Sequence, residues 1–481
     1  MSDAERPLDD DTPKEECGVF AVAAPPGRDV SRITYYALHA LQHRGQESAG
    51  IAARDGANVT IQRDLGLVTT VFDETSLRSL TGDAAIGHVR YSTTGANKWD
   101  NAQPVAQTRG DDIVALGHNG NLTNTGELRT EMEAAGADLR ASTDSEIIAA
   151  LIAAEEGSLL RAVCAVMPRL VGAYSVVVIS GSELVAFRDA HGVRPLVLGR
   201  LDEGGWCVAS ETCALDQIGA RFERDVRPGE ALRLSAGGIE SRQALPSAGG
   251  RTCVFEHIYF ARPDSRMEGT TMWESRSAMG AELARESGVD ADLVVGLPDS
   301  GTPAAIGYAQ ESGIPYSEAV VRNRYVGRSF IQPDQAMRQH GIRLKFNPLP
   351  SVIAGKRLVV VDDSIVRGNT TQRIVQMLLD AGAAEVHMRI SSPPILWPCF
   401  YGIDMADRAE LVAVGRSVEE IADLTGAHSL AYLTLDGLQR ALGKPASGFC
   451  RACFTGEYPI AIPDSSLKLR FEPGEREPAA A

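Results

Sequence analysis

The chain has 481 residues, 44% hydrophobic and 23% charged, a globular balance on a length too great for one ordinary core, so two or more domains are expected. A formal net charge of -16 argues against a nucleic-acid partner, because a phosphodiester backbone is bound through excess Lys and Arg. No apolar run approaches a membrane span, and residues 1–16 have neither the basic start nor the apolar stretch of a secretory signal, so a cytoplasmic protein with no membrane contact is expected.

From Cys17 to about Leu234, short runs rich in apolar residues alternate with polar ones at 18–22, 58–61, 86–89, 174–178 and 206–209, which predicts largely antiparallel sheets. Ile33, Tyr36, Ala37, Ala40 and Leu41 keep helical spacing, and Thr143-Asp144-Ser145-Glu146 is the polar start of a helix through 147–152. Sheets with helices on two sides fit a layered α+β domain. Beyond Arg251 the pattern changes to strand-loop-helix units. A strand at 293–296 leads into Pro298-Asp299-Ser300-Gly301-Thr302 and a helix over 304–309, a further strand is expected at 317–321, and strands at 357–361 and 386–390 flank a helix over 374–379. That order predicts a parallel sheet with helices on both faces, whose ligands bind at the C-terminal strand ends.

Three features carry chemistry. Leu358-Val359-Val360-Val361-Asp362-Asp363-Ser364-Ile365-Val366-Arg367-Gly368-Asn369-Thr370 is a buried strand, an acidic pair and a loop opening a helix, where backbone amides attract a phosphate while carboxylates accept from ribose hydroxyls. Arg322, Arg324, Arg328, Arg338, Arg343 and Lys345 form a cationic segment in an acidic chain, which implies a local anionic ligand. Of the eight cysteines, Cys164, Cys207 and Cys213 fall in apolar elements and read as core. Cys450 and Cys453 have metal-ligand or redox-pair spacing, and with Cys253 and Cys399 they make four thiolates that suit either tetrahedral zinc or an iron–sulfur cluster.

The acidic-pair loop resembles the signature of the type I phosphoribosyltransferases, which bind phosphoribosyl pyrophosphate (PRPP). The first half resembles the N-terminal-nucleophile class II glutamine amidotransferases in Cys17-Gly18-Val19-Phe20, Gln42-His43-Arg44-Gly45-Gln46, Gly87-His88-Val89-Arg90-Tyr91, Gly117-His118-Asn119-Gly120-Asn121 and Thr143-Asp144-Ser145-Glu146. Taken together the chain resembles the amidophosphoribosyltransferases from Cys17 to about Pro459. The resemblance implies a propeptide over 1–16, a glutaminase domain over 17–250, a phosphoribosyltransferase domain over 251–465 and a disordered tail over 466–481.

By resemblance Cys17 is the nucleophile once the propeptide is removed, its new α-amino group relaying the proton near neutral pH. Asn119 and Gly120 form the oxyanion hole, Arg90 pairs with the glutamine carboxylate, Asp144 with its ammonium, and Arg44 and Tyr91 belong to the wall and loop that close over glutamine. For PRPP the resemblance implies Asp299, Ser300 and Gly301 at the pyrophosphate, Arg324, Arg328 and Lys345 in and after a closing loop, and Asp362, Asp363, Ser364, Val366, Arg367, Gly368, Asn369 and Thr370 at the ribose phosphate. Asn369 stands where close relatives carry Thr. Ser300, Asp362 and Asp363 are the implied magnesium positions. Cys253, Cys399, Cys450 and Cys453 match the branch that carries a [4Fe–4S] cluster, read here as a structural staple. Purine nucleotide inhibitors and a homotetramer are also implied. Another class II amidotransferase would share the first half but lack the acidic-pair loop, and a non-catalytic PRPP-sensing regulator would have no use for Cys17, Arg90, Asn119, Gly120 and Asp144 together.

Overall fold

The computed structural model describes residues 17–91, 98–323, 345–405 and 408–462. The expected propeptide, the basic loop with Arg324 and Arg328, and the tail lie outside the described residues. In the first half two antiparallel sheets lie face to face. The seven-stranded one runs, in spatial order, Ala220–Asp225, Val197–Leu201, Trp206–Ala209, Gly18–Ala23, Ala84–Arg90, Ser48–Asp55 and Asn58–Leu65. The six-stranded one runs Gly238–Gln243, Glu230–Ser235, Leu184–Arg188, Gly172–Ile179, Asp112–Leu122 and Val105–Arg109.

Strand periodicity sorts the layers. Val19 and Ala21 pack between the sheets with Ile86, Val177 and Leu198, whereas Phe20 and Val22 face outward against Ala37, Leu38 and Leu41 of the helix Val30–Ala40 and the turn after it. On the other outer face the helices Asp144–Ala154 and Leu159–Val166 cover Tyr174, Val176 and Phe187. The expected layered α+β domain holds, in the order helix, sheet, sheet, helix, with one correction: Gly18–Ala23 and Gly172–Ile179 are buried throughout, because helices cap both sheets and leave no wet face for an alternating pattern to report.

The second half is built on a parallel sheet ordered Leu293–Gly296, Arg357–Asp362, Glu385–Ile390, Ser429–Tyr432. Val294, Val359 and Val361 pack under the helices Met272–Glu286 and Thr302–Ser312, and Val295 and Val360 under Asn369–Asp380 and Val418–Thr425. The first two helices approach until a Cβ on Gly280 would sit 1.8 Å from the Ala304 carbonyl oxygen, so only glycine fits that crossing. The strand expected at 317–321 does not join the parallel sheet. Tyr316 makes a single parallel bridge to Val294, and Val320–Arg322 pairs antiparallel with Phe346–Pro348, drawn outward with the segment that carries Lys345.

The two halves share a core. Ala173 and Val193 of the first pack with Cys253, Phe255, Ile258, Cys450, Cys453 and Phe454 of the second. Thr252–Cys253 runs parallel to Phe449–Cys450 with Cys253 opposite Cys450, so the start of the second half is tied to its end. No helix among the described residues is long and apolar enough to cross a membrane.

Candidate active sites

Cys17 sits at the mouth of the sheet ladder, just before Gly18 pairs with Val89. Its Sγ lies 3.3 Å from the Tyr91 carbonyl oxygen. Burial pushes the thiol up to about 11, against the lowering effects of the Tyr91 contact and Arg90, with Glu47 and Asp144 adding to the rise. The same three charged residues therefore surround the sulfur. Arg90 is buried with Nη1 3.6 Å from the Glu47 carboxylate. Asp144 accepts from the Leu122 amide at 2.9 Å and stands 3.5 Å from His118 Nδ1. Burial works against its charge, but His118 and the amides of Leu122 and Ser145 outweigh it and hold the carboxyl below the usual range.

Asn119 and Gly120 lie on the strand Asp112–Leu122, opposite Ser175 and Tyr174. Asn119 Nδ2 is buried and has no hydrogen-bond partner among the described residues, a donor held without an acceptor. Gly120 has φ +137, and a Cβ there would stand 2.0 Å from the Ala173 carbonyl oxygen, so the position admits only glycine. Arg44 approaches Cys17 from its carbonyl side, with Nε 3.1 Å from the Cys17 oxygen and its terminal nitrogens on the carboxylates of Glu211 and Glu256. Arg44 therefore meets Cys17 at its carbonyl and not at its thiol.

At the carboxyl ends of the parallel strands lies a cavity of about 270 Å³. Asp299, Ser300, Asp362, Thr370, Lys345, Arg276 and Arg322 line it from the second half, and His43, Arg44 and Gln46 from the first. Of the acidic pair only Asp362 lines this space. Asp363 is buried beneath it, accepting from Ser300 Oγ and Ser364 Oγ at 2.6 Å each, and its amide donates to Asp362 Oδ1 at 2.9 Å. Burial raises both carboxyls, that of Asp362 further because Asp363's charge adds to it. Asp299 is held by Arg322 at 2.7 Å, and the Pro298–Asp299 peptide is cis. Gly301 caps the helix Thr302–Ser312 and Gly368, in the left-handed region, caps Asn369–Asp380. Two helix N-termini therefore open here, the arrangement that receives phosphate. Val366 is buried, Arg367 is engaged by Glu410 at 2.5 and 3.0 Å, and Asn369 is exposed at the first helical position.

The sequence reading missed Arg276, whose buried guanidinium donates to the carbonyls of His257 at 3.0 Å and Ala261 at 2.6 Å. Burial lowers its pKa to about 10 against the fields of Asp363 and Glu211. It also missed Glu211 and Glu256. The four cysteines expected to act together do converge. Cys253, Cys450 and Cys453 belong to one core with Cys399 packed against it. Burial raises the Cys453 thiol, and the charges of Cys253, Cys450 and Cys399 raise it further. Among the described residues no three His, Cys, Asp or Glu side chains come close enough to hold one metal ion. Cys207 and Cys213 are buried as expected, and Cys164 packs against the helical face of the core.

Two family patterns match the chain: a glutamine amidotransferase domain over residues 88–217 and a phosphoribosyl transferase domain over 279–391. The amidophosphoribosyltransferase of Mycobacterium tuberculosis is 53% identical over 94% of this chain and 88% of its own length. That of Synechococcus elongatus is 51% identical over 97% and 95%. A solved structure described as the allosteric regulatory enzyme of purine biosynthesis superposes with a TM-score of 0.89 at 44% identity, covering 94% of this chain and 98% of the other. Glutamine PRPP amidotransferase from B. subtilis, complexed with ADP and GMP, gives 0.88 at 44% identity over 94% and 99%.

Proposed function

The chain belongs to the amidophosphoribosyltransferases, the glutamine-dependent pentosyltransferases that carry out the first step of purine biosynthesis, and from that premise we propose how its own residues divide the reaction. Glutamine, PRPP and water give 5-phosphoribosylamine, glutamate and pyrophosphate. The observation that supports this division best is the cavity bounded by residues of both halves, with His43, Arg44 and Gln46 facing Ser300, Asp362 and Thr370. Ammonia released at Cys17 has an acceptor site on the other side of Arg44.

Release of residues 1–16 frees the Cys17 amine, which takes the thiol proton as sulfur attacks the glutamine side-chain amide. Asn119 Nδ2 and the Gly120 amide receive the oxyanion, Arg90 exchanges Glu47 for the substrate carboxylate, and Asp144 receives the ammonium. In the second site the amides at Asn369 and Thr370 cradle the 5-phosphate, the Ser300–Gly301 loop receives pyrophosphate, and Lys345 supplies positive charge beside the leaving group.

Magnesium, whose chemistry here is to neutralise pyrophosphate charge, fits Asp362 and Ser300 at the cavity wall, with Asp363 reached beneath them. Three buried thiols, Cys253, Cys450 and Cys453, with the half-buried Cys399 packed against them, are the donor set that would hold a [4Fe–4S] cluster. Held where Cys253 meets Cys450, it would act as a staple between the start and end of the second half. Binding of purine nucleotides as inhibitors, a homotetrameric assembly and a cytoplasmic location complete the proposal. The test is product formation from glutamine, PRPP and magnesium, read beside the intact mass of the purified chain. Synthesis by a chain that keeps Met1 to Glu16 would refute the role of the Cys17 amine.

A further inference from the structure

We propose that Glu256, a residue of the second half, is a positioning residue for the glutaminase half-reaction: it holds Arg44 so that Arg44 in turn holds the Cys17 carbonyl and keeps the nucleophile in place. The proposal rests on the reading of Cys17 as the glutaminase nucleophile. Glu256 is wholly buried and lies in the segment just after Cys253. Its two carboxylate oxygens accept from the two terminal nitrogens of Arg44 at 2.6 and 3.0 Å, the bidentate fork that fixes a guanidinium in plane and direction. The remaining nitrogen, Nε, is thereby aimed at the Cys17 oxygen at 3.1 Å. Glu211 of the first half takes a second bond from Arg44 Nη1 and is itself held by His43 at 2.7 Å, Ser265 Oγ at 2.6 Å and the Arg262 amide at 2.9 Å. Arg44 is thus gripped by one carboxylate from each half.

Position makes that grip consequential. The strand ladder begins at Gly18, so Cys17 stands beyond the last pair, and in the processed chain it is the terminal residue, where a free end frays unless tied down. Arg44 supplies such a tie at the carbonyl next to the reacting side chain. Because a shift of about 1 Å in a reacting group costs on the order of a hundredfold in rate, loosening Arg44 reaches the chemistry without any contact to glutamine. Glu256 is also linked toward the cysteines: Arg194 Nη1 lies 3.8 Å from Glu256 Oε1 and is in the field of Cys253, Cys399 and Cys450. The second half therefore reaches Arg44 directly through Glu256, and indirectly through Ser265 and Arg262 on Glu211.

Glu256→Gln keeps the shape but removes the charge and one of the two acceptors facing Arg44. Rates are taken per chain beginning at Cys17, as counted by intact mass, with glutamine and with ammonium salt as nitrogen donors. The glutamine-driven kcat is expected to fall by about tenfold to a hundredfold, while the glutamine KM stays within about threefold because Arg90 and Asp144 are untouched. Ammonia-driven synthesis in the same preparation is expected to stay within about twofold. Glu256→Asp, which restores the charge at shorter reach, should recover part of the lost kcat. A parental glutamine kcat in Glu256→Gln, or equal losses with both nitrogen donors, would overturn the inference. If burial of an unmatched Arg44 prevents folding of that variant, Glu256→Asp must itself show a lowered glutamine-driven kcat with ammonia-driven synthesis kept within about twofold, or the inference fails. A parent enzyme that uses ammonia but not glutamine would instead refute the glutaminase reading itself.

Discussion

Asn119→Ala should move activity and stability in opposite directions. The Asn119 amide nitrogen is buried with no acceptor among the described residues, and a donor stripped of water without a partner costs about 1–3 kcal/mol. Truncation returns that cost and gives up roughly 1 kcal/mol of packing, so the denaturation midpoint should be unchanged or slightly higher. The same nitrogen is assigned to the oxyanion that forms when Cys17 attacks glutamine. Loss of one such donor costs about 100- to 1000-fold in kcat. Phosphoribosylamine formation measured with glutamine should fall by that factor, and with ammonium salt it should not change. Retention of the glutamine rate within about threefold, or a matched loss with ammonia, would refute the oxyanion assignment. A lowered midpoint would show that the amide has a structural partner after all.

Cys17→Ala should abolish synthesis from glutamine and spare synthesis from ammonia, and intact mass of the active parent should show residues 1–16 removed; glutamine-driven activity in the variant would count against the nucleophile. In chain that still carries residues 1–16, where burial pushes the Cys17 thiol up to about 11, alkylation of Cys17 should quicken about tenfold per pH unit as pH rises toward that value; a plateau near neutral pH would contradict it. Burial raises the carboxyls of Asp362 and Asp363, so protons compete with magnesium there at higher pH than at an ordinary carboxylate; the PRPP KM of the ammonia-driven reaction should rise as pH falls, and Asp362→Asn should weaken PRPP binding and flatten that dependence. Protein made anaerobically with ample iron should contain iron and sulfide together, and Cys453→Ser should lower stability before it touches either half-reaction; zinc without iron would rule out the cluster.

Much of this was legible because local patterns carry it. The run 358–361 is apolar because helices cover both faces, and it ends in carboxylates because ligands meet such strands at their C-terminal ends. The same periodicity held a signal that the sequence reading did not use. Neighbouring residues at the end of an extended run tend to point to different sides, and the structure accordingly has Asp362 on the cavity wall and Asp363 beneath it with two serine hydroxyls on it. Arg276 was findable in a similar way, since it falls on the buried stripe of Met272, Ser275, Met279 and Leu283, where an arginine must have buried acceptors. Glu211 and Glu256 had no such mark. Their meaning comes from Arg44, far away in sequence, and a buried ion pair across two domains leaves no periodicity in either.

The cysteine quartet is linked to the strand of Asn119 and Gly120 as well as within its own half. Cys399 Sγ accepts from the Tyr401 amide at 3.4 Å, and the Tyr401 hydroxyl exchanges bonds with the carbonyl and amide of Ile460 at 2.6 and 3.0 Å, fixing the turn that follows the cysteine. That turn bears on the first half: Asn121 Nδ2 donates to the Phe400 carbonyl at 2.9 Å, and Gly402 lies so close to Gly120 that a Cβ would stand 3.3 Å from the Gly120 Cα. The strand that presents Asn119 and Gly120 is therefore backed by a segment whose shape depends on Cys399. A group that locks the four thiols would stiffen both the closure of the second half and the surface behind Asn119 and Gly120.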